Sequence, residues 1–216
     1  MEPDSSPRRS VRILPTLIIA AIAITAGILA ARFVLHSSPP SAGMTSVRFP
    51  VARALRPFHL VDQEGRPFDN QSLNGYWSFL FFGYTHCPDV CPTTLSVLDS
   101  VAQKISDATT PAHFVFISVD PGRDTPQQLA RFVHYFNRQF IGVTGSDAAI
   151  DQLTKQLGVL HSKVPDSKDP DNYLVNHSAS VFLIDPHGNY HALFSPPLSA
   201  DRMAAQYQRM VRDFRQ

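Results

Sequence analysis

Cysteine is scarce: Cys87 and Cys91 are the only two in 216 residues. Two thiols are too few for the disulfide framework of a small secreted domain. Excess positive charge is missing as well. The formal net charge is +1, and residues 1–49 hold five arginines against Glu2 and Asp4, while residues 50–216 hold 14 basic and 16 acidic side chains. A domain with that slight negative balance has no basic stripe for nucleic acid, so its partner is a protein, a small molecule or a metal. No internal repeat is visible, and the T-x-x-C pattern of a thiol peroxidase is absent.

Charge is also missing from Ile13 to Ala31, a run of 19 residues. As a helix it spans roughly 28 Å, about the hydrocarbon thickness of a bilayer. Arg8, Arg9 and Arg12 precede the run and only Arg32 follows closely, so the positive-inside rule leaves residues 1–12 in the cytoplasm. The rival is a cleaved signal peptide, whose apolar region is about 7–15 residues long. Cutting at Ala21-Ile22-Ala23 would leave apolar residues 24–31 on the mature chain, which favours an anchor. The expected organisation is therefore a cytoplasmic arm (1–12), a transmembrane anchor (13–34), a Ser/Pro/Gly-rich linker (35–52) and one domain (53–216). About 165 residues are enough for a real core.

Within that domain, Phe58–Asp62 reads as a strand entering a turn. Trp77–Phe82 and Phe114–Val119 are continuous apolar runs, as in strands buried on both faces. Ser178–Ile184 and Tyr190–Phe194 read as two more strands, joined by a turn at Asp185-Pro186-His187-Gly188. Helices are expected over 89–105, from Thr125 as N-cap and Pro126 to about Phe140, over 147–157 and over 201–214. Residues 162–176 read as a long polar loop. Strands alternating with helices, then a hairpin and a last helix, predict an α/β sandwich with a mixed central sheet. Both cysteines fall at the corner of the first strand–loop–helix unit, as in a thioredoxin-like (peroxiredoxin-like) fold.

The pair C-P-D-V-C admits three chemistries. A structural disulfide closing so short a loop adds only about 2 kcal/mol in the chain-entropy model, which a domain of this size hardly needs. A redox pair suits a helix N-terminus, where unpaired N–H groups favour thiolate, although redox enzymes of this fold typically separate their cysteines by two residues. A metal site also suits it, because residues four apart lie on one helical face. Two thiolates are soft donors for copper(I) or zinc. A structural zinc takes four protein ligands, whereas two cysteines and one histidine make three, which suits copper. Spacing alone leaves redox and metal chemistry equally open.

The segment Gly83-Tyr84-Thr85-His86-Cys87-Pro88-Asp89-Val90-Cys91-Pro92-Thr93-Thr94-Leu95 closely resembles the signature of the Sco/SenC family. Val119-Asp120-Pro121-Gly122-Arg123-Asp124-Thr125 resembles that family's V-D-P-x-x-D-T stretch. Tyr173-Leu174-Val175-Asn176-His177-Ser178 resembles its Y-x-V-D-H segment. The resemblance covers roughly residues 55–215. It implies a membrane-anchored, thioredoxin-like copper chaperone with Cys87, Cys91 and His177 as ligands. It implies delivery of copper to the dinuclear copper centre of cytochrome c oxidase subunit II, reduction of that subunit's cysteines, or both. A periplasmic copper donor or a thioredoxin-like reductant would be a further partner, and the globular domain would face the periplasm from a bacterial inner membrane. One departure is visible: Asn176 stands where the family usually has Asp, so neutral hydrogen bonds replace a carboxylate.

Other residues have plainer readings. His86 is expected to shape the loop, and His187 and His191 to face solvent. Asp120 and Asp124 either order the cysteine loop from behind or serve as strand-end and cap chemistry. Tyr84 reads as core. Asp89 is expected to cap the helix. If the chemistry is dithiol exchange, Cys87 is the exposed nucleophile and Cys91 the resolving thiol.

Overall fold

The computed structural model describes residues 17, 21, 23–27, 46–106, 112–165 and 173–215. The chain divides into a unit of residues 1–42 and a unit of residues 43–216. In the first, the described residues are helical, and the Thr25 hydroxyl donates to the Ala21 carbonyl at 2.8 Å. Among the described residues no helix is long and apolar enough to cross a membrane. The cytoplasmic arm, most of the expected anchor and residues 35–45 of the linker lie outside the described residues.

The second unit is built on an eight-stranded mixed sheet. Its strands are β1 (Ser46–Ala54), β2 (His59–Asp62), β3 (Pro67–Asp69), β4 (Trp77–Gly83), β5 (Ala112–Ser118), β6 (Ile141–Thr144), β9 (Val181–Ile184) and β10 (Asn189–Phe194). The order is β1-β10-β9-β4-β5-β6-β2-β3. β4, β5 and β6 run parallel, and the remaining neighbours pair antiparallel. β7 (His161–Pro165) and β8 (Tyr173–His177) make a separate two-stranded sheet. The helices are α1 (Asn70–Leu73), α2 (Val90–Lys104), α3 (Pro126–Phe136), α4 (Asp147–Leu157) and α5 (Ala200–Phe214).

The apolar runs explain the centre. Every residue of β4 is buried, and Phe79, Phe81, Phe82, Phe114 and Phe116 fill the space between sheet and helices. α3 starts where the sequence places it. The Thr125 hydroxyl accepts the Gln128 N–H, and the Gln128 side chain accepts the Thr125 N–H, a capping box with Pro126 inside it. It stops at Phe136 rather than Phe140, because Asn137 turns the chain out: its side chain accepts the Gln139 N–H and donates to Asp99.

Three expectations need correction. Residues 46–52 are not linker: they belong to β1, antiparallel to β10, with a register shift between Arg48 and Arg53 around Pro50. Residues 162–176 are not simply loop, since 161–165 and 173–177 pair as β7 and β8; the segment between them lies outside the described residues. His191 is buried rather than solvent-facing, edge-on to Trp77 at 5.0 Å between ring centroids. Burial holds its imidazole pKa below the ordinary value. His187 is exposed, as expected.

Candidate metal centre

β4 ends at Gly83, and the chain turns through residues 84–89 into α2. A Cβ on Gly83 would stand 2.6 Å from Cys91 Sγ and 2.8 Å from Phe116 Cε2, so the strand must end in glycine for the thiol to lie against it. The loop is anchored from behind by Asp124. Its carboxylate accepts the Thr85 N–H at 2.9 Å, the Thr85 hydroxyl at 2.6 Å and the Ser118 hydroxyl at 2.7 Å. Of the two readings of Asp124, ordering of the cysteine loop is the one the geometry carries. His86 is exposed, and its Nδ1 lies 3.1 Å from the Thr85 hydroxyl.

Both thiols are free. Cys91 is fully buried and Cys87 is 9% exposed. Asp89 is the N-cap residue of α2, but its side chain makes no capping bond. The donors at that helix end serve Cys87 instead: the Cys91 N–H points at Cys87 Sγ at 3.4 Å. The Cys91 thiol also hydrogen-bonds to Cys87, and these donors pull its pKa down to about 4 against the cost of burial. Cys91 moves the opposite way. Its proton is shared with the Cys87 thiolate, and burial adds to the upward shift.

His177 closes the group from the end of β8. Its Nε2 lies 3.3 Å from Cys91 Sγ and 3.9 Å from Cys87 Sγ. Its Nδ1 is 3.2 Å from the Ser178 carbonyl, which can only accept. That contact assigns the proton to Nδ1 and leaves the Nε2 lone pair aimed at the sulfurs. The rings of Tyr84 and Phe81 flank the imidazole at 5.9 and 6.0 Å. The three donor atoms lie within 4.8 Å of one another, and no other group of three or more such side chains occurs among the described residues. Donors bonded to one ion at 2.0–2.3 Å stand roughly 3.5–4 Å apart, so the site is nearly in loaded geometry. A cavity of about 220 Å³ lined by Tyr84, Cys87, Val90, Leu174 and His177 opens it to solvent.

The structure brings together the three residues that the sequence offered as ligands. The sequence did not point to Ser118 or Arg123, nor to the bond of Tyr173 with Asp120, 53 residues away in the chain.

A thioredoxin-like mixed sheet that gathers two thiols and an imidazole at the end of its central strand defines a class: thiol-based proteins able to take a soft metal ion. Known proteins narrow it. The sequence profile of the SCO1/SenC family matches residues 50–212, and the chain belongs to that family. An SCO2-like protein of Rickettsia prowazekii is 34% identical over 188 residues, 86% of this chain and 92% of its own length. The solved copper-bound ScoI of Arabidopsis thaliana is 33% identical with a TM-score of 0.69, covering 73% of this chain and 98% of its own. The copper-bound ScoI of Bradyrhizobium japonicum is 36% identical with a TM-score of 0.65, covering 72% and 98%.

Proposed function

We propose that this protein carries one copper ion on Cys87, Cys91 and His177 and delivers it, as cargo, to the dinuclear copper centre of cytochrome c oxidase subunit II during oxidase assembly. The observation that carries the reading is the convergence of two sulfurs and an unprotonated imidazole nitrogen within 4.8 Å. Its relatives of known structure support copper as the ion, since two of them are copper-bound. Loading displaces the Cys91 proton, because a thiol in contact with the metal coordinates as thiolate. Three donors leave one side of the ion open, and the cavity at Cys87 lies there. Thiolates of the acceptor protein enter by that side and take the ion by ligand exchange. Residues 13–34 tether the domain to the inner membrane, with the domain in the periplasm.

A second reading, thiol–disulfide reduction of the same client, draws on the thiol pair itself: a low-pKa Cys87 beside a protonated, fully buried Cys91 is the arrangement of an attacking and a resolving thiol. A copper titration separates the two. The reduced domain should bind one copper per chain with thiolate-to-metal charge-transfer absorption, and His177→Ala should weaken copper(II) binding by tenfold or more. No stoichiometric copper, with ready cycling of a Cys87–Cys91 disulfide, would leave the reductase reading alone.

A further inference from the structure

The imidazole is carried by a two-stranded sheet of its own. β7 and β8 stand outside the main sheet, and an isolated hairpin is marginally stable in water. Side chains alternate along β8, so Tyr173, Val175 and His177 share one face, with Leu174 and Asn176 on the other. Val175 is buried and Leu174 is exposed, so the first face is the one turned to the protein. His177 ends that face at the thiols. Tyr173 ends it at a different anchor.

The Tyr173 hydroxyl donates to Asp120 Oδ1 at 2.6 Å, and Asp120 is fully buried. Arg123 Nε donates to the other carboxylate oxygen. The same guanidinium lies 3.6 Å over the Tyr173 ring and 5.7 Å from the Tyr84 ring. Lys163 on β7 stands 3.9 Å from Asp120 and 5.1 Å from the Tyr173 ring. Asp120 is not independent of the cysteines. Its N–H donates to the Ser118 hydroxyl at 3.0 Å, and that hydroxyl donates to Asp124, which holds Thr85. One loop, residues 118–124, therefore grips the hairpin that carries His177 and the loop that carries Cys87.

We infer that Tyr173, latched to Asp120 and Arg123, is a positioning residue that sets His177 against the two thiols. The inference rests on the copper reading above and adds a selectivity to it. Two soft thiolates suffice for copper(I), whereas copper(II) depends more on the imidazole nitrogen. Loosening the latch should therefore weaken copper(II) binding and largely spare copper(I).

Tyr173→Phe tests this, because it removes the latch hydroxyl and keeps the ring. Affinities for copper(I) and copper(II) would be measured by chelator competition in wild type, Tyr173→Phe, His177→Ala and the double variant. Tyr173→Phe should weaken copper(II) binding about tenfold and copper(I) binding less than about threefold. In the His177→Ala background it should change neither, the signature of a residue that acts through another. Amide hydrogen exchange in the metal-free protein gives a readout independent of copper: β7 and β8 should exchange about tenfold faster, with β4 and β5 unchanged. Equal exchange in both proteins would overturn the latch, as would a Tyr173→Phe effect that persists in full without His177. If the wild type binds no copper, the copper reading fails, and hairpin exchange alone still decides the latch.

Discussion

Cys87 and Cys91 sit one helical turn apart and hold opposite protonation states. Cys87 collects donors: the Cys91 thiol and backbone N–H groups at the start of α2. Its folded pKa of about 4 lies far below the value of about 8.5 expected in the unfolded chain. The thiolate therefore contributes stability that is complete above about pH 8.5 and is lost as pH falls through about 4. Reactivity follows the same curve. In the reduced, metal-free protein, alkylation of Cys87 by iodoacetamide should be nearly flat from pH 6 to 9 and fall with a midpoint near 4. Cys91, buried and protonated, should react far more slowly. A single midpoint near 8.5 for both thiols would mean that the donors around Cys87 do not act as described.

The packing of elements decides how the thiols are held. β4 and α2 meet where Gly83 touches Cys91, and no side chain fits between them. Gly83→Ala forces Cys91 Sγ and the Phe116 ring apart, a core overpacking that should cost about 1–3 kcal/mol in urea unfolding. The same variant should raise the Cys87 alkylation midpoint, because the displaced Cys91 thiol no longer donates to it. Unchanged stability with an unchanged midpoint would show that the strand and helix have slack. The legibility of the sequence follows these packing relations. β4, β5 and β9 were readable because strands buried on both faces are continuous apolar runs, and α3 because its cap is local. β1 was not: SVRFPVARA is an edge strand with a proline and mostly exposed side chains, which composition alone cannot distinguish from linker. β7 and β8 are five residues each, and their partner is each other. The three donors were readable through motif resemblance, whereas spacing alone left metal and redox chemistry level. Tyr173 and Arg123 were not readable as a latch, since the Tyr173–Asp120 bond joins residues 53 apart in sequence.

For the whole molecule, β1 determines whether the sheet ends cleanly. It covers the outer edge of β10, from Ser46 opposite Phe194 to Ala54 opposite Asn189. Arg48 reaches across to Asp213 on α5 at 2.6 Å, and Phe49 packs edge-on against Tyr190 at 4.7 Å between centroids. The ion pair is exposed and contributes little by itself. The edge matters more: without β1, β10 presents a row of unpaired backbone groups, and its side chains include buried Tyr190, Ala192 and Phe194. A shortened protein beginning at residue 56 should melt about 5–10 °C below one beginning at residue 43. It should also associate in a concentration-dependent way, detectable by sedimentation, as exposed strand edges pair. Pro50 and the bulge around it keep β1 itself from offering a regular outer edge, so the longer protein should stay monomeric. Copper stoichiometry should remain one per chain in both, because β10 and β9 separate β1 from β4, whose following loop carries Cys87, and His177 lies on β8 outside that sheet. Equal melting temperatures and a monomeric shortened protein would remove β1 from the folding unit. Loss of copper binding on shortening would instead show that the far edge of the sheet supports the site through β9 and β4.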